Sequence, residues 1–340
     1  MTELDAVDRA LLERLQAPLP LVSQPFAALG QDLGIDETDV LDRIHRLQAN
    51  GVIRQIGPIF DTRRLGYGST LVAFHVPEEA LEDVAGQVNA HPGVSHNYAR
   101  PHHYNLWFTL AVPPGQDLAA EIDRLARQAG VDDWLNLPAL RVFKIKTHFG
   151  LSGSAGPGAK PARSRRGAGR EENPAASGAA TNRGVAPADI PLIRALQAPL
   201  PLVSRPFAAL AAEQGLAEEA LLDGAERLQA AGIMRRFSAV LRHRRVGYTA
   251  NGMACWAVPL ERIEAVGPVA AQFREVSHCY QRPAYPPRWP YTLFTMIHGQ
   301  SREEVEAIVA RIAQKTGINE YQVLYSTREF KKERIKYYQG

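Results

Sequence analysis

The sequence has little cysteine and no long apolar run. Only two of its 340 residues are cysteines, Cys255 and Cys279, which excludes a disulfide framework and a four-thiolate metal site. No stretch of about 18 apolar residues occurs, so a membrane-spanning helix is excluded. The first residues are acidic where a signal peptide is basic and apolar, which predicts a cytoplasmic protein. The net charge of +3 is too small to indicate nucleic-acid binding by itself.

The short motifs of several common sites are also absent. The sequence contains no HExxH or CxxC spacing for a metal, no GxGxxG or phosphate loop for a nucleotide, and no GxSxG nucleophile elbow. A Ser-His-Asp triad assembled from distant residues stays open. We therefore predict no metal site, and no nucleotide cofactor is indicated.

The chain contains the same domain pair twice. The segment LQAPLPLVSQPFAAL begins at Leu15 and recurs at Leu196 with one change, and the same offset of 181 residues aligns the segment that begins at Gly51 with the one that begins at Gly232. The later motifs also recur, with a few residues gained in copy two. A repeat of this length indicates duplication of a whole domain, since solenoid repeats recur every ~20–50 residues. Residues 151–188 are mostly Gly, Ala, Ser, Pro and Arg, which predicts a flexible linker between the copies.

Each copy begins with helical periodicity and continues with alternating strands and helices. Three helices and a strand form the pattern of a winged helix-turn-helix, and the order βαββαβ that follows is typical of a ferredoxin-like sheet. In copy one we expect the last strand of that sheet at residues 139–146, and in copy two near 321–330. The predicted fold is therefore α+β, a tandem duplication of these two parts. The predicted domains are 1–60 (helix-turn-helix), 61–150 (ferredoxin-like), 151–188 (linker), 189–241 (helix-turn-helix) and 242–340 (ferredoxin-like).

This combination resembles the Lrp/AsnC family of transcriptional regulators, whose members bind DNA through a recognition helix. The net charge of that helix in each copy tests whether this chain could bind DNA in the same way. A recognition helix normally carries bases that meet phosphates and base edges. Residues 35–50 hold four acids and two bases, and residues 216–231 hold four acids and one base. We therefore expect no DNA binding, and we interpret the helix-turn-helix parts as scaffold and interface.

Polar and aromatic residues concentrate in the central strand pair of each copy. Alternation along the strand SHNYAR puts His96, Tyr98 and Arg100 on one face of the sheet, and SHCYQR repeats this triplet in copy two. Arginine binds carboxylates in a bidentate way, so these faces suit a flat apolar ligand rimmed with acids. We therefore expect a pocket in each copy.

At these residues the sequence resembles the siroheme decarboxylases, relatives of the Lrp/AsnC fold. Copy one is similar to the subunit type with SHNY, Arg100, His102 and NLWF, and copy two to the partner type with SHCY, Arg282-Pro283, WPY, LF and MIHG. The resemblance covers both copies and implies a fusion of the two subunit types, as in haem d1 biosynthesis; an alternative haem route stays open. Copy two departs at Ala284-Tyr285, where copy one has His102-His103.

The resemblance implies removal of the C12 and C18 acetate carboxylates of sirohaem, a planar macrocycle with eight carboxylates. The catalytic residues expected from it are His96, His102, His278, Tyr98 and Tyr280. The substrate-binding residues expected are Arg63, Arg64, Arg100, His103, Tyr104, Arg244, Arg245, Arg282, Tyr285 and Trp289. The expected partner is sirohaem, bound as the substrate, and no membrane partner is expected. No cofactor is expected to be required, because the macrocycle itself can accept the electrons when carbon dioxide leaves. We expect the two copies to pair through their sheets, and a homo-oligomer is possible. The alternatives are a ligand-sensing transcriptional regulator and a tetrapyrrole-binding protein without catalysis.

Overall fold

The computed structural model describes residues 4–145, 185–241 and 250–339. In copy one the helices are α1 (Ala6–Gln16), α2 (Pro25–Leu33), α3 (Glu37–Ala49), α4 (Leu81–Ala90) and α5 (Leu118–Ala129). The strands of copy one are β1 (Ile53–Phe60), β2 (Gly68–Phe74), β3 (Val94–Ala99), β4 (Leu106–Val112), β5 (Trp134–Leu137) and β6 (Arg141–Ile145). The predicted linker, 151–188, lies outside the described residues except for 185–188.

Copy two repeats this order. Its helices are α6 (Ile190–Gln197), α7 (Pro206–Glu213), α8 (Glu218–Ala230), α9 (Ile263–Ala271) and α10 (Arg302–Thr316). Its strands are β7 (Met234–Leu241), β8 (Ala250–Trp256), β9 (Val276–Gln281), β10 (Leu293–Gly299), β11 (Tyr321–Tyr325) and β12 (Arg328–Lys332). The predicted α+β duplication is confirmed.

Local signals in the sequence fix the ends of the first helices. Asp36 caps α3 by accepting a hydrogen bond from the backbone N–H of Asp39 at 2.7 Å. Gly34 ends α2 in the left-handed conformation (φ 70°), which glycine adopts without a Cβ clash. Both residue types are among those that commonly occupy these helix ends.

The two helix-turn-helix parts share one hydrophobic core. Leu11, Phe26 and Ile44 of copy one are fully buried in the same cluster as Ile193 and Phe207 of copy two. Strands β1 and β7 pair antiparallel and form a two-stranded ribbon between the copies. Because this core is shared, each helical part loses buried apolar area if the other is removed.

Two five-stranded antiparallel sheets follow, in the orders β12-β3-β4-β2-β5 and β11-β8-β10-β9-β6. Within each sheet, four strands come from one copy in the order of a ferredoxin-like domain, and α4 with α5, or α9 with α10, covers one face. The fifth strand of each sheet comes from the other copy. Strand β6 pairs with β9, and β12 pairs with β3.

This exchange corrects the predicted last strands. Residues 139–146 do contain a strand, but it joins the sheet of copy two, and β5 supplies the fourth strand of copy one. In copy two, the predicted strand near 321–330 divides into β11, which stays, and β12, which crosses. Each crossing strand covers the edge of β3 or β9, whose backbone groups otherwise face water.

The uncovered faces of the two sheets pack against each other. Ala73, Trp107 and Leu135 of copy one lie in one buried cluster with Cys255 and Phe294 of copy two. The copies therefore contact each other in three ways, through the β1–β7 ribbon, through the exchanged strands β6 and β12, and through the packed faces of the two sheets. Along the described ranges, no helix combines the length and the apolar character needed to cross a membrane.

Candidate active site

A cavity of about 620 Å³ lies where the two sheet faces meet the β1–β7 ribbon. Both copies contribute to its wall. Its apolar lining comes from Leu71, Trp107, Phe108, Leu241, Met253, Phe294 and Met296. Its polar lining comes from Arg54, His96, Tyr98, Arg100, Thr109, Asn251, His278, Tyr280, Arg282, Thr295, His298, Ser326, Glu329 and Lys332. Its volume lies within the ~300–1,000 Å³ of small-molecule sites.

The two predicted triplets line this one cavity. On β3 the His96 and Tyr98 rings lie 6.2 Å apart, and on β9 the His278 and Tyr280 rings lie 5.9 Å apart. The strands keep each histidine and its tyrosine on the same face, as the alternation predicts. Instead of one pocket in each copy, the described residues bring both triplets into a shared space.

Burial keeps both histidines neutral at pH 7. Burial, together with the charges of Lys332 and Arg54, lowers the pKa of His96 to about 4. Burial, together with the charges of Arg282 and Arg235, lowers the pKa of His278 to about 4. A carboxylate bound beside either ring raises its pKa, because an opposite charge favours the imidazolium.

Two buried guanidinium groups have no carboxylate partner among the described residues. Arg100 is 6% exposed and donates from Nη1 to the carbonyl oxygen of Leu324 at 2.5 Å. Arg282 donates to the carbonyl oxygen of Leu137, at the matching position of the facing copy. In both arginines Nε is buried without a hydrogen-bond partner. Burial lowers the pKa of each arginine to about 10. An unneutralised buried charge is costly, and an anionic ligand offsets that cost.

The other charged residues of the wall are mainly positive. Arg54 and Lys332 line the cavity, and Arg54 donates to the backbone carbonyl oxygen of Lys332. Glu329 is the one carboxylate among the described lining residues. Four cationic side chains against one carboxylate favour a ligand with several negative charges.

Several predicted residues lie behind the wall. The indole of Trp289 is buried and packs on Trp107 (5.4 Å between ring centroids) and on His102 (5.5 Å). The Nδ1 atom of His102 accepts a hydrogen bond from the backbone N–H of Tyr104, whose hydroxyl donates to Asp133. His102, Tyr104 and Trp289 therefore form an aromatic cluster that supports the wall.

The remaining predicted residues have other surroundings. The exposed ring of His103 pairs with Asp133 through Nε2 at 2.8 Å. The hydroxyl of Tyr285 donates to the carbonyl oxygen of Asn136 at 2.5 Å. Neither side chain lies among the described residues that line the cavity.

The cations that precede the sheet lie at the junction of the copies. Arg63 donates to the carbonyl oxygen of Ala139, and its charge lowers the pKa of Arg282. Arg64 donates to the carbonyl oxygen of Ala231 at 2.5 Å. Their copy-two counterparts, Arg244 and Arg245, lie outside the described residues.

Sequence reasoning missed the other eight polar residues of the wall, among them Arg54, Asn251, His298 and Lys332. One signal was present, because alternation along β10 places Phe294, Met296 and His298 on the same face. Arg54 and Lys332 reach the cavity through the ribbon and the exchanged strand, which no local pattern indicates.

The described residues contain no group of three or more His, Cys, Asp or Glu side chains arranged to hold a metal ion. The cavity instead joins cations, imidazoles, phenols and flat apolar surface. This arrangement can hold a planar polyanion and exchange protons with it.

Two family models match the chain, and each matches it twice. The AsnC-like ligand binding domain matches residues 64–144 and 245–331. The siroheme decarboxylase NirDL-like HTH domain matches residues 8–54 and 189–235. The matches follow the duplication.

Similar proteins include both full-length and half-length chains. A siroheme decarboxylase from Hydrogenobacter thermophilus is 41% identical over 329 residues, which are 96% of this chain and 94% of that protein. A siroheme decarboxylase beta subunit from Methanosarcina barkeri is 45% identical over 148 residues, 44% of this chain and 97% of that protein. The crystal structure of the siroheme decarboxylase NirDL in co-complex with an iron-uroporphyrin III analogue matches with a TM-score of 0.71 and 38% identity, covering 96% of this chain and 93% of that one. The chain therefore belongs to the siroheme decarboxylase family, as a fusion of two subunit-length copies.

Proposed function

We propose that this chain is a carboxy-lyase that removes the C12 and C18 acetate carboxylates of sirohaem, giving 12,18-didecarboxysirohaem, in haem d1 biosynthesis. One observation carries the proposal. Arg100 and Arg282 place two buried guanidinium groups, without carboxylate partners among the described residues, in a cavity that three imidazoles also line. The similarity to siroheme decarboxylases along the whole chain supports the same substrate.

Recognition follows from the lining of the cavity. The apolar surfaces of Trp107, Phe108, Met253 and Phe294 suit a planar macrocycle. Arg100 and Arg282 hold peripheral carboxylates from opposite sides, since each comes from a different copy.

The reaction itself consumes one proton for each carboxylate. The bond between the acetate methylene and its carboxylate carbon breaks, carbon dioxide leaves, and the electron pair delocalises into the macrocycle. A proton then bonds to the methylene carbon and leaves a methyl group. The protein therefore supplies a fixed position for the carboxylate and a proton donor beside the methylene.

We assign the proton-donor role to His96 and His278. Both face the cavity, and substrate carboxylates raise the pKa of each ring from about 4, so each imidazole takes up a proton as the substrate binds. Tyr98 and Tyr280 flank these rings and assist by hydrogen bonding. His102 supports the wall from behind, with Tyr104 and Trp289.

The other predicted binding residues contribute at the periphery. Arg63 adds positive charge near Arg282, and Arg64 holds the junction of the copies. His103 and Tyr285 anchor the loops that hold the aromatic cluster. We also propose that no protein-bound cofactor is required and that the chain acts in the cytoplasm, as one chain or as a homo-oligomer.

The paired charges of the helix-turn-helix parts count against the regulator alternative. On α3, Arg43 and Arg46 both pair with the buried carboxylate of Asp8, at 2.9 and 2.6 Å. On α8, Arg227 pairs with Asp189 at 3.2 Å. These arginines are already engaged within the protein, which leaves little positive charge for a phosphate backbone.

Anaerobic incubation of the purified chain with reduced sirohaem, read by mass spectrometry, tests the proposal. We expect the pigment to lose the mass of two carbon dioxide molecules, without any added cofactor. An absorption change with unchanged pigment mass would favour a non-catalytic tetrapyrrole-binding protein. Salt-sensitive binding to a specific operator, with no change in the pigment, would favour a regulator.

A further inference from the structure

Copy two contains a buried histidine that the mechanism above does not use. His298 lies on β10, is 9% exposed and lines the cavity beside His278. Its backbone neighbour across the sheet is Asn251 on β8. In copy one, the matching pair is Ala111 and Ser69. His298 therefore distinguishes the two halves of a site that is otherwise nearly symmetric.

His298 connects His278 to Asn251 through a chain of hydrogen bonds. The Oδ1 atom of Asn251 lies 2.5 Å from Nδ1 of His298. The Nε2 atom of His298 lies 2.7 Å from Oγ of Ser277, and that Oγ lies 2.8 Å from Nδ1 of His278. All three separations are hydrogen-bond distances.

The ends of this chain fix the direction of its hydrogen bonds. An amide oxygen can only accept, so Nδ1 of His298 donates to Asn251, and in the neutral ring Nε2 then accepts. The Ser277 hydroxyl also reaches the carbonyl oxygen of Met296, but at 3.3 Å against 2.7 Å to Nε2 of His298, and that Nε2 needs a donor. Donation to Nε2 leaves the lone pairs of Oγ to accept from His278. The proton of neutral His278 is therefore on Nδ1, and its Nε2 is the nitrogen available to the cavity.

The hydrogen bonds behind His96 have no fixed order of donor and acceptor. Its Nδ1 lies 2.9 Å from Oγ of Ser95, and that Oγ lies 2.7 Å from Oγ1 of Thr109. Both hydroxyl groups can donate and accept, so neither tautomer of His96 is selected. Thr109 occupies the strand position of Met296, and Ala111, at the position of His298, cannot replace the missing imidazole.

We propose that His298, held by Asn251, is a positioning residue that acts through Ser277 to fix His278 as the Nδ1–H tautomer. The catalytic consequence rests on the proposed function. When the imidazolium of His278 gives its Nε2 proton to the methylene carbon, the neutral ring that remains carries its proton on Nδ1. This is the tautomer that the hydrogen bonds of Ser277 and His298 already favour. His278 is thus the more strongly organised proton donor of the two.

The charged and titratable groups facing His278 come from several elements. Arg282 follows β9, Arg235 lies on β7 and His96 lies on β3. None of these side chains bonds to Nδ1 of His278 in the described contacts, where Ser277 occupies that nitrogen. The tautomer is therefore set through Ser277.

Nitrogen-15 NMR of histidine-labelled protein tests the proposal without any substrate. In the unaltered chain near pH 7 we expect His278 and His298 as Nδ1–H tautomers. In His298→Leu we expect the His278 signal to move toward the Nε2–H tautomer, and in His298→Gln we expect the original signal, because a glutamine amide can both accept from Ser277 and donate to Asn251. The matched copy-one variant Ser95→Ala should leave the His278 signal unchanged.

Turnover gives the second measurement. We expect His298→Leu to lower kcat by about tenfold or more with little change in KM, and His298→Gln to recover most of it. Adding Ser277→Ala to His298→Leu should cause little further loss, because both substitutions break the same chain. An Nε2–H tautomer of His278 in the unaltered chain, or an unchanged signal in His298→Leu, would overturn the proposal. An unaltered chain that shows the expected tautomers but releases no carbon dioxide would instead reject the proposed function.

Discussion

The two halves of the cavity share a triplet but differ behind it. His96 and His278 occupy matching positions, face one space and have similarly lowered pKa values. Behind His278 an imidazole and an amide continue the hydrogen-bond chain, whereas behind His96 the described chain runs from Ser95 to Thr109. Duplication has therefore kept the triplets that face the cavity and changed the groups that hydrogen-bond behind them.

This difference indicates unequal roles in a reaction that removes two carboxylates. The arginines remain equivalent, because Arg100 and Arg282 each reach the backbone of the facing copy at matching residues. Binding should therefore depend equally on the two copies, while proton transfer should not. The following predictions test this division, from the largest effect to the smallest.

Replacing both buried arginines should cause the largest loss. In the double variant Arg100→Met and Arg282→Met, we expect sirohaem affinity to fall by about 10²–10⁴-fold, since a charged hydrogen bond contributes ~1.5–3 kcal/mol. Spectrophotometric titration under anaerobic conditions measures this loss. The two single variants, Arg100→Met and Arg282→Met, should each show a loss of affinity of similar size.

The free energy of unfolding separates this effect from misfolding. Because each guanidinium is buried without a carboxylate partner among the described residues, its removal should leave stability unchanged or raise it. The exposed residue Arg288 provides a matched control, and Arg288→Met should retain the original affinity. Equal losses of affinity in Arg288→Met and the double variant would refute the assignment.

Single histidine substitutions should lower turnover rather than binding. We expect His278→Gln to reduce kcat by ~10²-fold or more and His96→Gln to have a smaller effect, because a general acid contributes ~10²–10⁴-fold and His278 is the better organised donor. Quenched-flow sampling with mass spectrometry follows both losses of carbon dioxide. The exposed helix residue His45 supplies the control, and identical kinetics for the two cavity variants would contradict unequal roles.

Substrate binding should also take up protons. Both histidines have a pKa of about 4 before a carboxylate lies beside them, and bound carboxylates raise it. Between these pKa values the complex holds more protons than the free protein, so affinity should fall as pH rises through the pKa of the complex.

Calorimetry in two buffers of different ionisation enthalpy measures that uptake. We expect near pH 6 an uptake of up to one proton per histidine, and half of it in either single His→Gln variant. Proton release on binding would contradict the assignment of these pKa values.

The smallest effect should come from the aromatic cluster behind the wall. His102 packs on Tyr104 and Trp289 and does not line the cavity, so we expect His102→Phe to keep kcat within about threefold of the unaltered chain. Steady-state kinetics measures this change. A loss as large as that of His278→Gln would return His102 to the catalytic role that its motif suggests.

Local sequence patterns were enough to predict most of the fold. The sequence shows the helix ends at Asp36 and Gly34 and the alternation of β3, because each depends only on neighbours within a few residues. The exchange of β6 and β12 could not be predicted, because the matching runs RVFK (141–144) and REFK (328–331) predict a strand but do not say which sheet it joins. Which edge a strand covers depends on contacts far away along the chain.

The site shows the same division. Alternation predicted the triplets, and the same rule along β10 would have found His298. Alternation does not extend to His102, because β3 ends at Ala99 and the chain turns beyond it, and His102 is not among the described residues that line the cavity. That Arg54 and Lys332 line the cavity could be seen only from the ribbon and the exchanged strand on which they lie.

We propose that a cavity shared by both copies decarboxylates sirohaem with His96 and His278. Anaerobic turnover of sirohaem by the double variant His96→Gln and His278→Gln, with His102→Phe in parallel and product masses compared, tests this proposal. We expect pigment of unchanged mass from the double variant and loss of two carbon dioxide molecules with His102→Phe. Full conversion by the double variant would contradict it.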